Sequence, residues 1–130
     1  KIALVTGGNR NIGRETALAL AGRGADVVIT YREQQDTAAQ TVKNLEALGV
    51  RTKALQVDLT GTKELQKFLD AFKEILNSWN RTNFDILINN AGTLRLGTFD
   101  SIKEEDLDAI YETNYKSVFF LTQHLVNDIA

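Results

Sequence analysis

Short runs of aliphatic and β-branched residues alternate along the chain with longer stretches in which apolar residues recur at helical spacing. The third of the short runs is the weakest, because Lys53 and Gln56 interrupt it. Four of these runs are predicted to be buried strands, and they cover residues 2–6, 26–31, 51–57 and 84–88.

The longer stretches are predicted to be helices over residues 13–23, 33–48, 62–76 and 101–130. The third helix has the most regular pattern, because its apolar residues at 65, 68, 69, 72, 75 and 76 share one face. The last stretch opens with Ser101-Ile102-Lys103-Glu104, which has the spacing of a capping box and predicts a helix start there.

Strands that alternate with helices form parallel sheets, because each connection crosses back over the sheet. Right-handed crossovers place the four strands in the order 3-2-1-4, which predicts an α/β fold of the Rossmann type: a doubly wound parallel sheet within a three-layer α/β/α arrangement. No linker or repeat interrupts the pattern, so residues 1–130 are predicted to form one domain. Ligands bind such sheets outside the carboxyl ends of the strands, here between strands 1 and 4.

Composition and charge exclude several classes of function. The 130 residues carry 15 Lys and Arg against 17 Asp and Glu, a formal net charge of -2 that argues against nucleic-acid binding. Without Cys and with one His, the chain has no disulfide, no thiol nucleophile and no predicted metal site, and His124 is expected to be structural or on the surface. No membrane-spanning stretch or signal peptide is evident, so no membrane partner and a cytoplasmic location are expected.

A glycine-rich turn, Thr6-Gly7-Gly8-Asn9-Arg10-Asn11-Ile12-Gly13, joins the first strand to the first helix. Gly7 suits a tight turn because it lacks a Cβ, and Gly13 allows helix and strand to pack closely. The helix N-terminus then offers free N–H groups and a positive dipole end to a pyrophosphate. A tight connection that binds nothing is the alternative, and no Gly-Lys-Ser/Thr follows to make a Walker loop.

The spacing of this turn resembles the Thr-Gly-x-x-x-Gly-x-Gly motif of the short-chain dehydrogenase/reductase family. Asn11 takes the place of the middle glycine, which normally lets the backbone approach the pyrophosphate. Asn tolerates left-handed backbone angles better than most residues, so we expect the turn to keep its conformation. The resemblance implies that a dinucleotide is contacted by Gly7, Asn9, Arg10, Asn11, Ile12 and Gly13.

Asp58 and Leu59 follow the third predicted strand and match the family's adenine site. The resemblance implies that Asp58 accepts a hydrogen bond from the adenine amino group and that the backbone of Leu59 assists. The alternative is that Asp58 begins a turn and helps to cap the next helix through Thr60 or Thr62.

Asn89-Asn90-Ala91-Gly92 ends the fourth strand and matches the family's tetrapeptide in full. The resemblance implies that Asn90, Ala91 and Gly92 contact the cofactor, with Gly92 leaving room for a ribose. Buried Asn side chains must be hydrogen-bonded, so one of these amides is expected to tie neighbouring strand ends together. An Asx turn at a strand exit is the alternative.

Asn114 lies well inside a stretch predicted to be helical, where Asn is a poor helix former. The family places an Asn here that bends the helix, so that a backbone carbonyl holds a water of the proton relay. The resemblance therefore implies a catalytic role for Asn114, and an exposed helical Asn is the alternative.

The residues after the second strand bear on the choice of cofactor. NAD-binding sheets usually present an acidic residue there to the ribose hydroxyls, whereas NADP-binding sheets present a basic residue to the 2′-phosphate. Arg32 can bind this phosphate through two N–H groups, with Arg10 assisting, which predicts NADP rather than NAD. In the rival interpretation Glu33 binds the ribose and Arg32 is solvated.

The family's proton-transfer residues are missing from this sequence. They are a Tyr with a Lys four residues later and a Ser from a preceding strand, and none of the three tyrosines here has such a Lys. In the family these residues follow the point that this sequence reaches at Ala130. The 130 residues are therefore expected to be the N-terminal cofactor-binding portion, inactive alone.

The resemblance implies an NADPH-dependent oxidoreductase that interconverts a small-molecule ketone and alcohol, similar to 3-oxoacyl-carrier-protein reductases. Residues 94–99 are candidates for contact with the substrate. The alternatives are a truncated dinucleotide-binding module without catalysis and an interaction protein in which Asn11 marks a degenerate site. Since the family packs the equivalent of the last, widely apolar helix against a partner subunit, a homo-oligomer (dimer or tetramer) is expected. The alternative is that this face covers further strands of the same chain.

Overall fold

A computed structural model describes residues 1–130 and contains one parallel sheet of four strands. The strand order is β3-β2-β1-β4, as the crossover rule predicts. In the register of the sheet, Val5 of the central strand lies beside Ile29 on one side and Ile88 on the other. The strands are β1 (Ile2–Val5), β2 (Asp26–Tyr31), β3 (Thr52–Gln56) and β4 (Ile86–Ile88).

Helices cover both faces of the sheet, which confirms the three-layer α/β/α arrangement. The fourth predicted helix is divided into several helical segments of different pitch. The helices are α1 (Asn11–Ala21), α2 (Gln35–Glu46), α3 (Leu65–Ser78), α4 (Glu104–Tyr111), a π-helical turn (Glu112–Lys116, hereafter the π turn), α5 (Ser117–Leu125) and a 3-10 turn (Val126–Asp128).

Two apolar cores lie on opposite faces of the sheet. Between the sheet and α1 and α2, the smaller core packs Ala17 and Leu45 against Val27. Between the sheet and α3 and α5, the larger core is centred on Phe72, whose ring meets Phe84 edge-on at 5.2 Å. Because both faces of β1 and β2 are buried, these strands read as continuous apolar runs rather than alternating ones.

Each of the four helix starts differs from the sequence prediction, and α2 begins at Gln35 instead of residue 33. α1 begins at Asn11 instead of residue 13, and α3 begins at Leu65 instead of residue 62. Ahead of α3, the Glu64 carboxylate accepts the Asp58 N–H at 2.6 Å. Glu64 therefore bonds to the segment that follows β3 and does not belong to the first turn of α3. Periodicity locates the apolar face of a helix but carries no information about where its first turn closes.

The predicted capping box at residues 101–104 is wrong. Ser101 Oγ donates to the Thr98 carbonyl at 3.1 Å and stays within the preceding turn. The helix starts at Glu104, and the Asp106 carboxylate accepts the Lys103 N–H at 3.2 Å. The N-cap is therefore Lys103, two residues later than Ser101, and the Ser101 hydroxyl donates within the preceding turn instead of accepting a helix N–H.

The helical stretch also does not reach the last residue. Ile129 forms a parallel bridge with Phe84, in which Phe84 N–H donates to the Asp128 carbonyl at 3.0 Å and Ala130 N–H donates to the Phe84 carbonyl at 2.7 Å. Residues 129–130 are thus extended beside the segment that leads into β4. None of the helices combines the length and the apolarity that a membrane crossing requires.

Candidate functional site

A cleft of about 360 Å³ opens where the segments that follow the four strands meet. Its position outside the carboxyl ends of a parallel sheet is the one at which such sheets bind ligands. Every residue that the sequence predicts to contact a cofactor lines this cleft: Gly7, Asn9, Arg10, Asn11, Ile12, Gly13, Arg32, Asp58, Leu59, Asn90, Ala91 and Gly92.

The glycine-rich turn is held by close backbone contacts. Gly7 has φ +63°, a left-handed conformation, and its N–H donates to Thr30 Oγ1 at 3.0 Å. A Cβ on Gly13 would collide with the Gly7 carbonyl oxygen and with Asn90 Nδ2. The predicted close packing at Gly13 is therefore confirmed.

Asn11 adopts φ +48° at the first position of α1, so the expectation that it keeps the left-handed turn is confirmed. Its side chain is exposed and lines the cleft. Asn9 also lines the cleft but is only 6% exposed, and its side-chain amide makes no hydrogen bond within the chain. The amide is open to the cleft, so a polar ligand there could hydrogen-bond to it.

Thr6 and Asn90 tie the ends of β1 and β4 together. Thr6 Oγ1 accepts the backbone N–H groups of Asn90 at 3.0 Å and Ala91 at 2.9 Å. Asn90 Nδ2 donates back to the carbonyls of Thr6 at 3.0 Å and Gly7 at 3.1 Å. The predicted role of an Asn side chain in joining strand ends is confirmed, whereas the part played by the Thr6 hydroxyl was missed.

Asn114 lies in the π turn and contacts the segment after β4. Its Oδ1 accepts the Thr93 N–H at 2.8 Å, and its Nδ2 donates to the Thr93 carbonyl at 2.8 Å. A Cβ on Gly92 would lie 3.3 Å from the same Oδ1. Asn114 itself does not line the cleft, but its neighbours in these contacts, Gly92 and Thr93, do, as does Thr113 from the π turn.

Asp58 makes the turn contact that was considered as the alternative at this position. Its Oδ1 accepts the Thr60 N–H at 2.8 Å, and α3 starts too late for Asp58 to cap it through Thr62. Burial raises the pKa of the Asp58 carboxyl, but the Thr60 N–H and hydroxyl and the Arg32 guanidinium lower it by more, so its pKa lies below the usual value. The second carboxylate oxygen has no partner in the chain and is available to a donor.

Two cations stand at the mouth of the cleft. Arg32 is about half exposed, with Nε 3.7 Å from Glu33 Oε1 and 3.7 Å from Asp58 Oδ1. Arg10 makes no ion pair. Both side chains line the cleft and could bind an anion there. Glu33 lines the same cleft, so the residue that would bind the ribose in the alternative interpretation is also present.

The cleft contains several polar residues that the sequence interpretation did not assign. They lie near the end of a strand, in the segments that follow the strands or in the π turn, and most are threonines: Thr30, Gln34, Thr60, Thr93 and Thr113. Threonine at a strand end is too common to be a signal by itself. No Ser, Tyr, Lys or His lines the cleft, and His124 is exposed on α5, away from it.

The family model described as short chain dehydrogenase matches residues 1–130. A hydroxynaphthalene reductase-like protein Arp2 from Metarhizium guizhouense is 36% identical over 124 residues, which cover 95% of this chain and 45% of the relative. The 3-oxoacyl-[acyl-carrier-protein] reductase FabG of Staphylococcus epidermidis is 35% identical over 119 residues, covering 92% of this chain and 47% of the relative.

Among solved structures, a short chain dehydrogenase from Burkholderia cenocepacia in complex with NADP superimposes with a TM-score of 0.89 at 37% identity. The match covers 98% of this chain and 50% of that one. The chain thus spans about half the length of the relatives it matches.

Proposed function

The chain belongs to the short-chain dehydrogenase family, and we propose that it forms the NADPH-binding domain of an oxidoreductase that reduces a ketone to an alcohol. The observation that carries this proposal is the cleft, in which the glycine turn and the segments after β2, β3 and β4 converge. The relative from Burkholderia cenocepacia was crystallised with NADP, and the FabG and Arp2 relatives are named as reductases.

The cleft fits a dinucleotide on the evidence of its own side chains and backbone. The start of α1 carries no acidic residue in its first turn, so its free N–H groups can receive a pyrophosphate. A Cβ on Gly7 would lie 3.2 Å from Ala91 Cα, so glycine is what lets the turn pack this closely against the segment after β4. The unpartnered amide of Asn9 and the free oxygen of Asp58 provide polar groups for the ribose and the adenine.

We assign selectivity for NADP over NAD to Arg32 and Arg10. The 2′-phosphate carries the charge that distinguishes the two cofactors, and an Arg guanidinium binds phosphate through two N–H groups at once. The weak pairing of Arg32 with Glu33 and Asp58, each 3.7 Å from Nε, can be exchanged for a phosphate. Glu33 as a ribose acceptor would instead favour NAD.

When bound, NADPH supplies the hydride that reduces the carbonyl carbon. Within residues 1–130, the role of Asn114 is to shape the site: it fixes the Thr93 backbone, and the π turn frees backbone groups from the regular helical pattern. A carbonyl freed in this way would hold a water of a proton relay. The Ser, Tyr and Lys that the resemblance implies for proton transfer are not among residues 1–130.

The substrate class that we propose is a ketone carried on an acyl chain or a polycyclic ring, after the printed names of the relatives. We also propose a homo-oligomer, dimer or tetramer, in the cytoplasm. A row of exposed apolar side chains four residues apart supports the oligomer: Leu107, Tyr111, Tyr115 and Phe119, with the two tyrosine rings stacked at 5.7 Å.

A dinucleotide-binding module without catalysis is the second candidate, favoured by Asn11 at the middle glycine position. Turnover separates the two. The intact protein should oxidise NADPH in the presence of 3-oxoacyl thioesters or polycyclic ketones and show little oxidation without them. Tight NADPH binding with no turnover on any ketone would favour the second candidate and contradict the first.

A further inference from the structure

Gln56 is the last residue of β3, and its side chain has a defined partner. The β2–β3 pairing ends with Tyr31 opposite Gln56, and the Val57 N–H donates to the Tyr31 carbonyl at 2.9 Å. The Arg32 carbonyl lies one residue beyond that pairing. Gln56 Nε2 donates to it at 2.8 Å, in place of the main-chain donor that the strand no longer provides.

The other end of Arg32 also contacts the segment after β3. Its Nε lies 3.7 Å from Asp58 Oδ1. Asp58 is itself fixed, because its Oδ1 accepts the Thr60 N–H and its own N–H donates to Glu64 Oε2 at 2.6 Å. Two residues at the end of β3 and just after it therefore contact Arg32. Gln56 forms a hydrogen bond with its carbonyl, and Asp58 forms an ion pair with its guanidinium.

We propose that Gln56 is a positioning residue for Arg32 and thereby a determinant of the preference for a 2′-phosphorylated nucleotide. This inference rests on the proposed function, in which Arg32 binds the 2′-phosphate. An exposed Arg side chain loses conformational entropy when it binds an anion. If its backbone is already fixed in the free protein, less entropy is lost on binding and the affinity is higher. Gln56 contributes this ordering without contacting the phosphate.

The test measures two probe nucleotides by calorimetry on the intact protein: adenosine 2′,5′-bisphosphate and adenosine 5′-monophosphate. The ratio of their affinities isolates the contribution of the 2′-phosphate. The variants are Gln56→Met, which keeps the side-chain length and removes the donor, Arg32→Ala, and the double variant. Gln40→Met is the matched control, since it breaks the Gln40 hydrogen bond to Asn44 Oδ1 on α2, outside the cleft.

We expect Gln56→Met to lower the preference for the bisphosphate about fivefold, a change of the size that ordering one long side chain on binding typically costs. The affinity for the monophosphate and the melting temperature should stay near those of wild type and of Gln40→Met. In the Arg32→Ala background, Gln56→Met should have no further effect on the preference, because its action passes through Arg32.

Three results would overturn the inference. One is an unchanged preference in Gln56→Met while Arg32→Ala loses it, which leaves the proposed NADP binding intact. The second is an equal loss for both nucleotides, which would make Gln56 merely structural. The third is an undiminished effect in the Arg32→Ala background. A wild-type protein without preference for the bisphosphate would instead refute the NADP assignment itself, and the inference with it.

Discussion

Asn114 and Thr93 are paired through two hydrogen bonds of 2.8 Å, one in which the side-chain oxygen accepts the Thr93 N–H and one in which the side-chain amide donates to the Thr93 carbonyl. The Asn114 side chain thus pairs with the Thr93 backbone as the N–H and C=O groups of an adjacent strand would. Because Thr93 lines the cleft, this pair links the π turn to the wall of the proposed cofactor site.

We expect Asn114→Ala to lower the free energy of unfolding by about 1–2 kcal/mol, since it removes two hydrogen bonds. Asn114→Asp should cost at least as much, because its carboxylate would face the Thr93 carbonyl that now accepts a donor. Denaturant unfolding can be followed by the fluorescence of the only tryptophan, Trp79.

Asn77→Ala is the control for Asn114→Ala, because Asn77 is exposed on α3 and its side chain makes no hydrogen bond. If the Asn114 and Asn77 variants were equally stable, the hydrogen bonds between Asn114 and Thr93 would not contribute to the free energy of unfolding. The proposed catalytic role of Asn114 further requires that turnover of the intact protein falls in Asn114→Ala while NADPH affinity changes little.

Asn11→Gly should tighten NADPH binding. Glycine adopts φ +48° without strain, and it removes a side chain that borders the cleft where the pyrophosphate is expected. Asn11→Ala is the matched variant: it removes the amide but keeps a Cβ in the left-handed region, at a cost of about 1 kcal/mol in stability. Weaker binding by Asn11→Gly in calorimetry would mean that Asn11 makes a useful contact with the cofactor.

Gly13→Ala should destabilise the protein by about 1–3 kcal/mol, as overpacked sites do, and should weaken NADPH binding by displacing the Gly7 carbonyl. Gly22→Ala is the control, at the other end of α1. Gly22 has φ -61°, and an added Cβ would lie 3.3 Å from the Leu18 carbonyl oxygen, so its stability should stay near that of wild type or rise slightly. Equal melting temperatures for the two variants would contradict the packing described at Gly13.

Asp85 should make stability depend on pH below about pH 4. Its carboxylate accepts the Ile2 N–H at 2.7 Å, and this bond, together with Arg81 3.6 Å away, holds the Asp85 pKa below its usual value despite partial burial. A carboxyl with a lowered pKa in the folded state stabilises the fold above its unfolded pKa, and the contribution is lost as the pH falls through the folded pKa.

Asp85→Asn should therefore be less stable than wild type near neutral pH, by roughly 1–2 kcal/mol, and the difference should shrink as the pH falls below about 4. Asp108→Asn on the exposed surface of α4 removes the same charge and serves as the control. Parallel stability curves for wild type and Asp85→Asn across that range would contradict the assignment.

The sheet and most of the cleft were predictable because their signals are local. Buried parallel strands such as β2 are continuous apolar runs, and the turn that ends in Gly13 needs glycine at that position because of contacts set by the strand-to-helix geometry. The predicted cofactor residues lie in the segments that follow the strands or at the start of α1, so the strand order brings them together.

The features that sequence reasoning missed depend on contacts between distant segments. A bend at Asn114 was implied by the family resemblance, but its pairing with Thr93, 21 residues earlier, was missed, as was the contact of the Thr6 hydroxyl with Asn90, 84 residues later. Gln56 was noted only as an interruption of an apolar run, because its partner, the Arg32 carbonyl, lies in another strand exit. The false capping box at Ser101 shows the reverse error, in which a local sequence motif is present but its hydroxyl belongs to the preceding turn and accepts no helix N–H.

The central claim is that this cleft binds NADPH through Arg32, and the most direct test titrates the intact protein and its Arg32→Asp variant with NADPH and with NADH. Wild type should bind NADPH more tightly than NADH. Arg32→Asp should weaken NADPH far more than NADH, because the new carboxylate repels the 2′-phosphate and can accept the ribose hydroxyls. Equal losses for the two cofactors, or tighter binding of NADH by wild type, would contradict the claim.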